Sequence, residues 1–341
     1  MKLCETERLL LRKYTVDDWP AVHSYGSVPE NLVYMGWGPN TEEQTRVFIG
    51  MAIARAEELP CTNYHFAAIQ KETGRLIGGC NLAISGDGAE IGWILHRDFW
   101  GHGFGTEMGK RLLELGFDEL GLRRIAAHCD AENHASYRVM EKLGMRREGL
   151  FIEARAGNKN SGLPYGDELA YAVTKSEWDT HKEAARYTAL PYVFDGFIDL
   201  PELSDDVIRL VCTAKKPAAP EKKWVPAYDF AVCKDSEKIG EVNLRIGYVT
   251  GLYYSGNVGY AIDEAHRGNG YAVRACSLLL PVARAHGMTK LHITNALTNT
   301  ASRRVCEKLG ARLLRIARLP EWHDIYKEGR RFSNIFEWSV E

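Results

Sequence analysis

The chain has 341 residues, 45% of them hydrophobic and 26% charged, with 43 Lys and Arg against 45 Asp and Glu for a net charge of -2. That length suggests two or three domains, and the balanced charge lacks the basic excess of a nucleic-acid binder, so no nucleic-acid partner is expected. No apolar run approaches the roughly 18 residues of a membrane span. The opening Met1-Lys2-Leu3-Cys4-Glu5 lacks a signal-peptide core, so a cytoplasmic protein with no membrane partner is expected. Eight scattered cysteines without a Cys-x-x-Cys pair argue against a disulfide framework and against zinc, and no metal site is expected.

In chain order, alternation of Leu9 and Leu11 with arginines predicts a strand near 6–12. Asp17-Asp18 marks one helix start and Thr41-Glu42-Glu43-Gln44 a second, with Val47, Phe48, Met51 and Ala52 as its apolar face. Strands are predicted over 66–70, 76–84 and 89–95, separated by glycine turns. A glycine loop, Trp100-Gly101-His102-Gly103-Phe104-Gly105-Thr106, leads into a helix over 106–119 carrying Met108, Leu112 and Leu115. A strand over 125–129, a helix over 135–143 ended by Gly144, and a strand over 168–173 follow. The polar, helix-prone stretch 174–192, closed by Pro191, predicts a domain boundary with a linker over 179–192.

The pattern then repeats. Phe230-Ala231-Val232 echoes Phe66-Ala67-Ala68, and Ile239-Gly240 with Asn243-Leu244 echoes Ile77-Gly78 with Asn81-Leu82. Gly92 and Gly259 are 167 residues apart, as are Gly103 and Gly270, while Asn133 and Asn299 are 166 apart, as are Gly144 and Gly310. Landmarks kept in this order imply a duplicated domain, giving domains over 1–178 and 193–341. The second has a shorter, proline-rich opening (Pro217, Pro220, Pro226), which predicts lost or reshaped first helices. Pro281 predicts a kink or early stop in its glycine-loop helix.

A strand that ends in glycines and opens a helix presents unpaired N–H groups at the positive end of a helix dipole, a site for phosphate or pyrophosphate. Neither loop has the Gly-Lys-Ser/Thr of a nucleotide P-loop, and Gly101-x-Gly103-x-Gly105 is one residue tighter than the dinucleotide fingerprint. Two copies, each followed by Asn-x-x-Ser and Glu-Lys-Leu-Gly, make a specific signature.

With these motifs the chain resembles the GNAT superfamily of acetyl-CoA-dependent N-acetyltransferases, whose pyrophosphate loop reads Arg/Gln-x-x-Gly-x-Gly/Ala. Arg267-Gly268-Asn269-Gly270-Tyr271-Ala272 fits fully, and the first loop departs only at Trp100. The first domain also resembles the branch that acetylates ribosomal-protein N-termini, through Thr6-Glu7-Arg8-Leu9, Glu90-Ile91-Gly92-Trp93, Asn133-x-x-Ser136, Glu148-Gly149, and Asp167 with Tyr171. The resemblance implies an α/β fold of α+β type: two GNAT-like domains, each a mixed, mostly antiparallel sheet flanked by helices and splayed near the glycine loop. It implies acetyl-CoA as co-substrate, with its pyrophosphate on the amides of Gly101, His102, Gly103, Phe104, Gly105 and Thr106, and of Gly268 to Ala272. Leu95 and Ile262 stand where the family bonds the pantetheine arm through the backbone, and Asn133 and Asn299 where its asparagine contacts that arm.

The implied chemistry is direct attack of an amine on the thioester. It needs a proton acceptor for the amine, an amide at the oxyanion and an acid for the thiolate. The family's frequent tyrosine acid, seven residues after the Asn, is replaced by Met140 and Cys306, which leaves Ser136 and Ser302 as the hydroxyls for the thiolate. Candidate bases are Glu90 and Glu153 in the first domain. In the second, Glu90 corresponds to Asn257, and Glu321 and Asp324 are the remaining acids; a bound water is a further acceptor. His128 is expected as an ordinary polar strand residue. The implied partner is an amine-bearing acceptor, whether a peptide N-terminus, a polyamine or an antibiotic, met by a monomer or homodimer. Two rival readings stay open: one domain as a non-catalytic CoA-binding or scaffold module, or the whole chain as an acetyl-CoA sensor.

Overall fold

A computed structural model describes residues 4–158 and 162–341 and divides the chain into two compact units, Met1–Trp178 and Asp179–Glu341. The first contains β1 (Cys4–Glu5), β2 (Leu9–Arg12), α1 (Trp19–Gly26), α2 (Glu42–Glu57), β3 (Asn63–Gln70), β4 (Leu76–Ser85), β5 (Gly88–Leu95), α3 (Phe104–Glu114), β6 (Arg124–Asp130), α4 (His134–Lys142), β7 (Arg146–Ala156) and β8 (Tyr165–Thr174). The strands form one sheet in the order β1-β2-β3-β4-β5-β6-β8-β7, antiparallel except for β5 against β6. Period-2 alternation sorts its faces: Phe66 and Ala68 of β3 join the core under α3 and α4, while Ala67 and Ile69 join the one under α1 and α2.

Local chemistry sets the helix ends. Thr41 Oγ1 accepts from the Gln44 amide at 3.2 Å while Gln44 Oε1 accepts from the Thr41 amide at 2.8 Å, so α2 starts at a reciprocal cap. Asp18 is buried because Arg12 grips both its oxygens at 2.7 Å. The apolar face of α2 is rotated from the predicted one. Thr45, Ile49, Ala52 and Ala56 are buried against the sheet, whereas Val47 is 55% and Met51 48% exposed. The glycine-loop helix begins two residues earlier than predicted and ends in a π turn over 115–119. The long strand β7 was not predicted, because its residues carry no apolar alternation and are mostly exposed.

The unit boundary falls within a helix, α5 (Lys175–Thr188). Ala184 and Tyr187, from the stretch expected as a linker, are buried in the second unit's core. That unit continues with β9 (Arg209–Lys216), β10 (Ala227–Lys234), β11 (Glu237–Arg245), α6 (Thr250–Ser255), β12 (Val258–Ile262), α7 (Tyr271–Ser277), α8 (Leu280–Ala285), β13 (Lys290–Asn295), α9 (Thr300–Lys308), β14 (Arg312–Arg318), α10 (Asp324–Lys327) and β15 (Phe332–Ser339). Residues 189–208 hold no helix or regular strand. Pro281 sits in the first turn of α8, where its missing N–H costs nothing, and the glycine-loop helix, for which this proline predicts a kink or early stop, is interrupted at 278–279.

The two units treat the centre of the sheet differently. In the first, β5 and β6 pair at only three positions, Gly88 with Arg124, Ala89 with Ile125 and Glu90 with Ala126, then part. In the second, separation is complete: β12-β11-β10-β9 and β13-β15-β14 are distinct antiparallel sheets. Asn257 joins them. Its amide donates to the His292 carbonyl at 2.7 Å, and its Oδ1 accepts from the His292 amide at 2.8 Å and the Tyr187 hydroxyl at 2.9 Å. Its Nδ2 donates to the Gly247 and Arg245 carbonyls at 3.0 and 3.3 Å. The side chain thus returns the reciprocal bond of a strand contact in which the backbone makes the other half. Asn257→Ala leaves these buried groups unmet and is expected to destabilise the second unit by about 3 kcal/mol, measured as a lowered urea midpoint of its unfolding transition.

Candidate active site

Both glycine loops have the same backbone. Gly101 and Gly103 sit at φ 78° and 83°, and Gly268 and Gly270 at 86° and 79°, the left-handed region that only glycine enters without strain. Gly103 and Gly270 are the N-caps of α3 and α7. Among the described residues, the backbone amides of Gly101 to Thr106, and of Gly268 to Ala272, donate to no acceptor. A run of free N–H groups at a helix start is what a pyrophosphate requires, so the residues present fit that ligand. The dipole behind the run is longer in the first unit, where α3 has 11 residues against seven in α7.

The departure at Trp100 has a structural explanation. Its Nε1 donates to the Leu95 carbonyl at 3.0 Å, and Arg267 Nε donates to the Ile262 carbonyl, likewise at 3.0 Å. Two different side chains make one anchor, tying each loop to the residue five positions earlier. The Leu95 carbonyl also accepts from Asn31 Nδ2 at 3.1 Å, so both its lone pairs are engaged. In the first unit Arg8 braces the loop further. Nη1 donates to the His102 carbonyl at 3.0 Å, Nε donates to Glu107 at 2.8 Å, and the guanidinium lies 4.4 Å from the centroid of the Phe104 ring. His102 itself is exposed, its Nδ1 2.8 Å from the Trp100 carbonyl. In the second loop Asn269 Nδ2 donates to the His266 carbonyl at 3.1 Å.

Where β5 and β6 part, β5 beyond Glu90 has one edge without a partner strand. Next to it opens a cavity of about 660 Å³ whose walls include Trp93, His128, Asn133 and Ser136. Asn133 Oδ1 caps α4 by accepting from the Ser136 amide at 3.1 Å. Cys129, facing Ser136, has its thiol pushed up to about 11 by burial and stays protonated. His128 was expected as an ordinary strand residue. It is a paired polar residue of β6 that also lines the cavity, with Nδ1 3.4 Å from Glu90 Oε1. This pairing raises the His128 pKa and lowers that of Glu90. Glu90 stands behind the histidine and does not line the cavity.

Glu153 sits at φ 51° in an irregular part of β7, exposed and outside the cavity, its amide donating to Asp167 Oδ1 at 3.0 Å. Arg155, two residues on, points inward and does line it. The aromatic walls (Tyr14, Tyr25, Trp37, Phe48) and the Asp130–Arg155 pair had no signal in the spacing of motifs; the closest hint was Phe48, assigned to a core face.

The second unit has the same landmarks in closed form. Ser302 Oγ is 2.8 Å from the Tyr260 hydroxyl, and Tyr260 is the counterpart of Trp93. Asn299 caps α9 as Asn133 caps α4, at 3.0 Å. Cys306 is buried, its thiol pushed up to about 12. Burial also holds His292 down at about 4. Glu321 is exposed and accepts from the Tyr326 hydroxyl at 3.3 Å, and Asp324 pairs with Lys327. A smaller hollow of about 400 Å³ on the four-stranded sheet includes Asp229, Asn243 and Tyr260 but neither Ser302 nor Glu321. No group of three His, Cys, Asp or Glu suited to a metal occurs among the described residues, and no described helix is long and apolar enough to cross a membrane.

This constellation, a glycine-capped helix start beside a splayed sheet, is that of an acyl-group transferase acting on amines. The Acetyltransferase (GNAT) domain family model matches residues 8–146 and again 167–312, and the chain belongs to that family as a tandem N-acetyltransferase. It is 36% identical over 177 residues to the uncharacterized N-acetyltransferase YnaD of Bacillus subtilis, covering 51% of this chain and 98% of that one. It is 38% identical over 154 residues to the uncharacterized N-acetyltransferase p20 of Bacillus licheniformis, covering 44% and 85%. A GNAT-family acetyltransferase crystal structure from Bacillus anthracis is 36% identical and covers 51% of this chain and 99% of that one, with a TM-score of 0.45.

The shared loop anchor is testable. Trp100→Phe removes the donor to the Leu95 carbonyl and is expected to weaken coenzyme A binding about 5- to 10-fold, a loss of about 1 kcal/mol. Trp100→Arg, which reproduces the second loop's anchor, is expected to retain most of the affinity. Isothermal titration with coenzyme A reads both.

Proposed function

We propose that the first unit transfers the acetyl group of acetyl-CoA to a primary amine, and that the second unit does no chemistry. The observation that carries this reading is the set of unpaired amides from Gly101 to Thr106 beside an open cavity lined by His128 and Ser136. Acetyl-CoA, when bound, supplies an activated thioester. The loop amides and the α3 dipole hold its pyrophosphate. Asn133 keeps its amide nitrogen for the pantetheine arm while its oxygen caps α4. The unpaired edge of β5 offers N–H groups where the oxyanion develops.

His128 takes the proton from the acceptor ammonium, and Glu90 holds the ring and stabilises the imidazolium that results. Ser136 stands at the leaving thiolate. Cys129 is no nucleophile, because burial keeps its thiol protonated, so transfer is direct. In the second unit the residue corresponding to Glu90 is a structural asparagine, and the serine is bound to Tyr260. Its loop amides remain free, which supports a retained coenzyme A site without a base.

Titration with acetyl-CoA separates the readings. A stoichiometry near two supports a non-catalytic coenzyme site in the second unit, and near one a scaffold. In either case Gly103→Glu is expected to abolish turnover; retained turnover would move the chemistry to the second unit. Absence of binding would refute the acetyltransferase reading.

The pH profile tests the base. His128 acts when neutral, so kcat/KM rises as pH rises through its pKa, which Glu90 holds above the usual histidine value. Glu90→Gln removes that raising charge, and the acid limb is expected to move to lower pH. His128→Gln is expected to lower kcat about 100-fold. An acid limb that stays in place in Glu90→Gln would mean another group accepts the proton.

A further inference from the structure

Resting on the acetyltransferase reading, we propose that the first unit's cavity selects an α-amino acyl acceptor, an amine adjacent to a carbonyl or carboxylate, with Arg155 reading that oxygen and Asp130 positioning Arg155. The local geometry is built for one inward cation. On β7 the ladder runs from Phe151 opposite Glu168 to Arg155 opposite Gly166, so β7 spends two more residues than β8 over this stretch. The excess bulges outward at Glu153, and Arg155 turns in with its side chain 20% exposed while residues 151–154 and 156 face solvent. Bulges beside active sites re-aim side chains in this way.

Arg155 is only partly satisfied. Nη2 donates to the Tyr34 carbonyl at 2.9 Å. Nε lies 3.9 Å from Asp130 Oδ2, too far for a hydrogen bond, and both atoms are buried without a partner. Nη1 meets no acceptor among the described residues. Asp130 is 2% exposed, and its Oδ1 accepts from the Glu132 amide at 2.9 Å. A buried pair with unmade hydrogen bonds is costly, and fold stability alone does not explain it. A carbonyl or carboxylate oxygen at the guanidinium meets the free donors, and Asp130 keeps the fork in place from behind.

Charge supports the same class. Of the described residues lining the cavity, Arg155 is the single Lys or Arg and Asp130 the single Asp or Glu. A polyamine or aminoglycoside needs several carboxylates to replace its water, and this cavity offers one, already facing a cation. A single amine with an oxygen beside it fits, and Tyr14, Tyr25, Trp37 and Phe48 provide an apolar wall for an attached side chain.

The test uses the full chain with acetyl-CoA and four acceptors: phenylalaninamide, phenylalanine, phenethylamine and spermidine, with kcat/KM expressed per free-base amine. Phenylalaninamide or phenylalanine is expected to exceed phenethylamine at least 10-fold. Arg155→Met should collapse that ratio toward one, with Arg155→Lys intermediate. Asp130→Asn should reduce the same ratio, which a merely structural role would not do. Unchanged thermal midpoints and coenzyme A affinity exclude misfolding of the variants. Preference for the amide assigns a peptide N-terminus, and preference for the free acid assigns an amino acid. A ratio insensitive to Arg155→Met, or spermidine as best acceptor, overturns the inference while leaving the acetyltransferase reading intact. If acetyl-CoA binds but none of the four is acetylated, N-acetylphenylalaninamide and N-acetylphenethylamine are titrated into the coenzyme A complex. Equal binding of the two overturns the proposal, and a preference for the first that Arg155→Met removes supports it. No binding of acetyl-CoA refutes the parent reading.

Discussion

The parting of β5 from β6 is the constraint on which the rest of the first unit depends. Two parallel strands that stop pairing after Glu90 leave backbone donors and acceptors facing each other across a gap. Buried groups of this kind must find water, a side chain or a ligand. The first unit leaves the gap open and surrounds it with functional groups: the cap of α4, the His128–Glu90 pair and the glycine loop. Gly78 on β4 belongs to the same device, since a Cβ there would lie 2.2 Å from the Ile94 carbonyl. The close approach of β4 to β5 thus depends on a missing side chain. Gly240, at the matching place in the second unit, would put a Cβ 2.4 Å from the Ala261 carbonyl.

The second unit meets the same constraint by closing the gap. Asn257 supplies side-chain amide groups where strand pairing ends, and Tyr187 and His292 stack at 4.2 Å beside it. Tyr260 then holds Ser302, so the hydroxyl that faces a cavity in one copy faces a phenol in the other. One substitution, Glu to Asn at matched positions, exchanges a charged partner of a cavity histidine for a neutral structural bridge. Every polar atom of the Asn257 side chain is bonded, whereas the Asp130–Arg155 pair in the first unit has buried atoms without a hydrogen bond.

The duplication, the glycine loops and most strands were legible because they rest on local rules. Positive-φ glycines, Asn caps and period-2 alternation are written in a few neighbouring residues. The apolar face of α2 was misjudged because Phe48 and Met51 are apolar yet line a cavity, and periodicity does not separate a core face from a cavity wall. β7 escaped because an exposed strand with a bulge lacks alternation. The cavity position of His128 was not legible for a related reason: its partner Glu90 lies on another strand, and no sequence spacing reports that contact. Trp100 shows the reverse case, in which a residue that breaks the motif makes the same hydrogen bond as the arginine it replaces.

A duplicated enzyme that keeps one open and one closed copy separates two demands that compete within a single site. An open cleft tolerates unpaired polar groups and is correspondingly less stable, since such groups are stabilised only when a ligand meets them. A closed copy carries no such burden and retains the loop geometry because that geometry is set by glycine conformation, not by the chemistry next to it. The anchor from position 100 or 267 to the carbonyl five residues earlier is therefore independent of whether the neighbouring site is open or closed by Tyr260. It persists in both units with different donors, while His128 with Glu90, the Ser136 hydroxyl and the Asp130–Arg155 pair are gathered in the first unit, where the strands part beside a cavity.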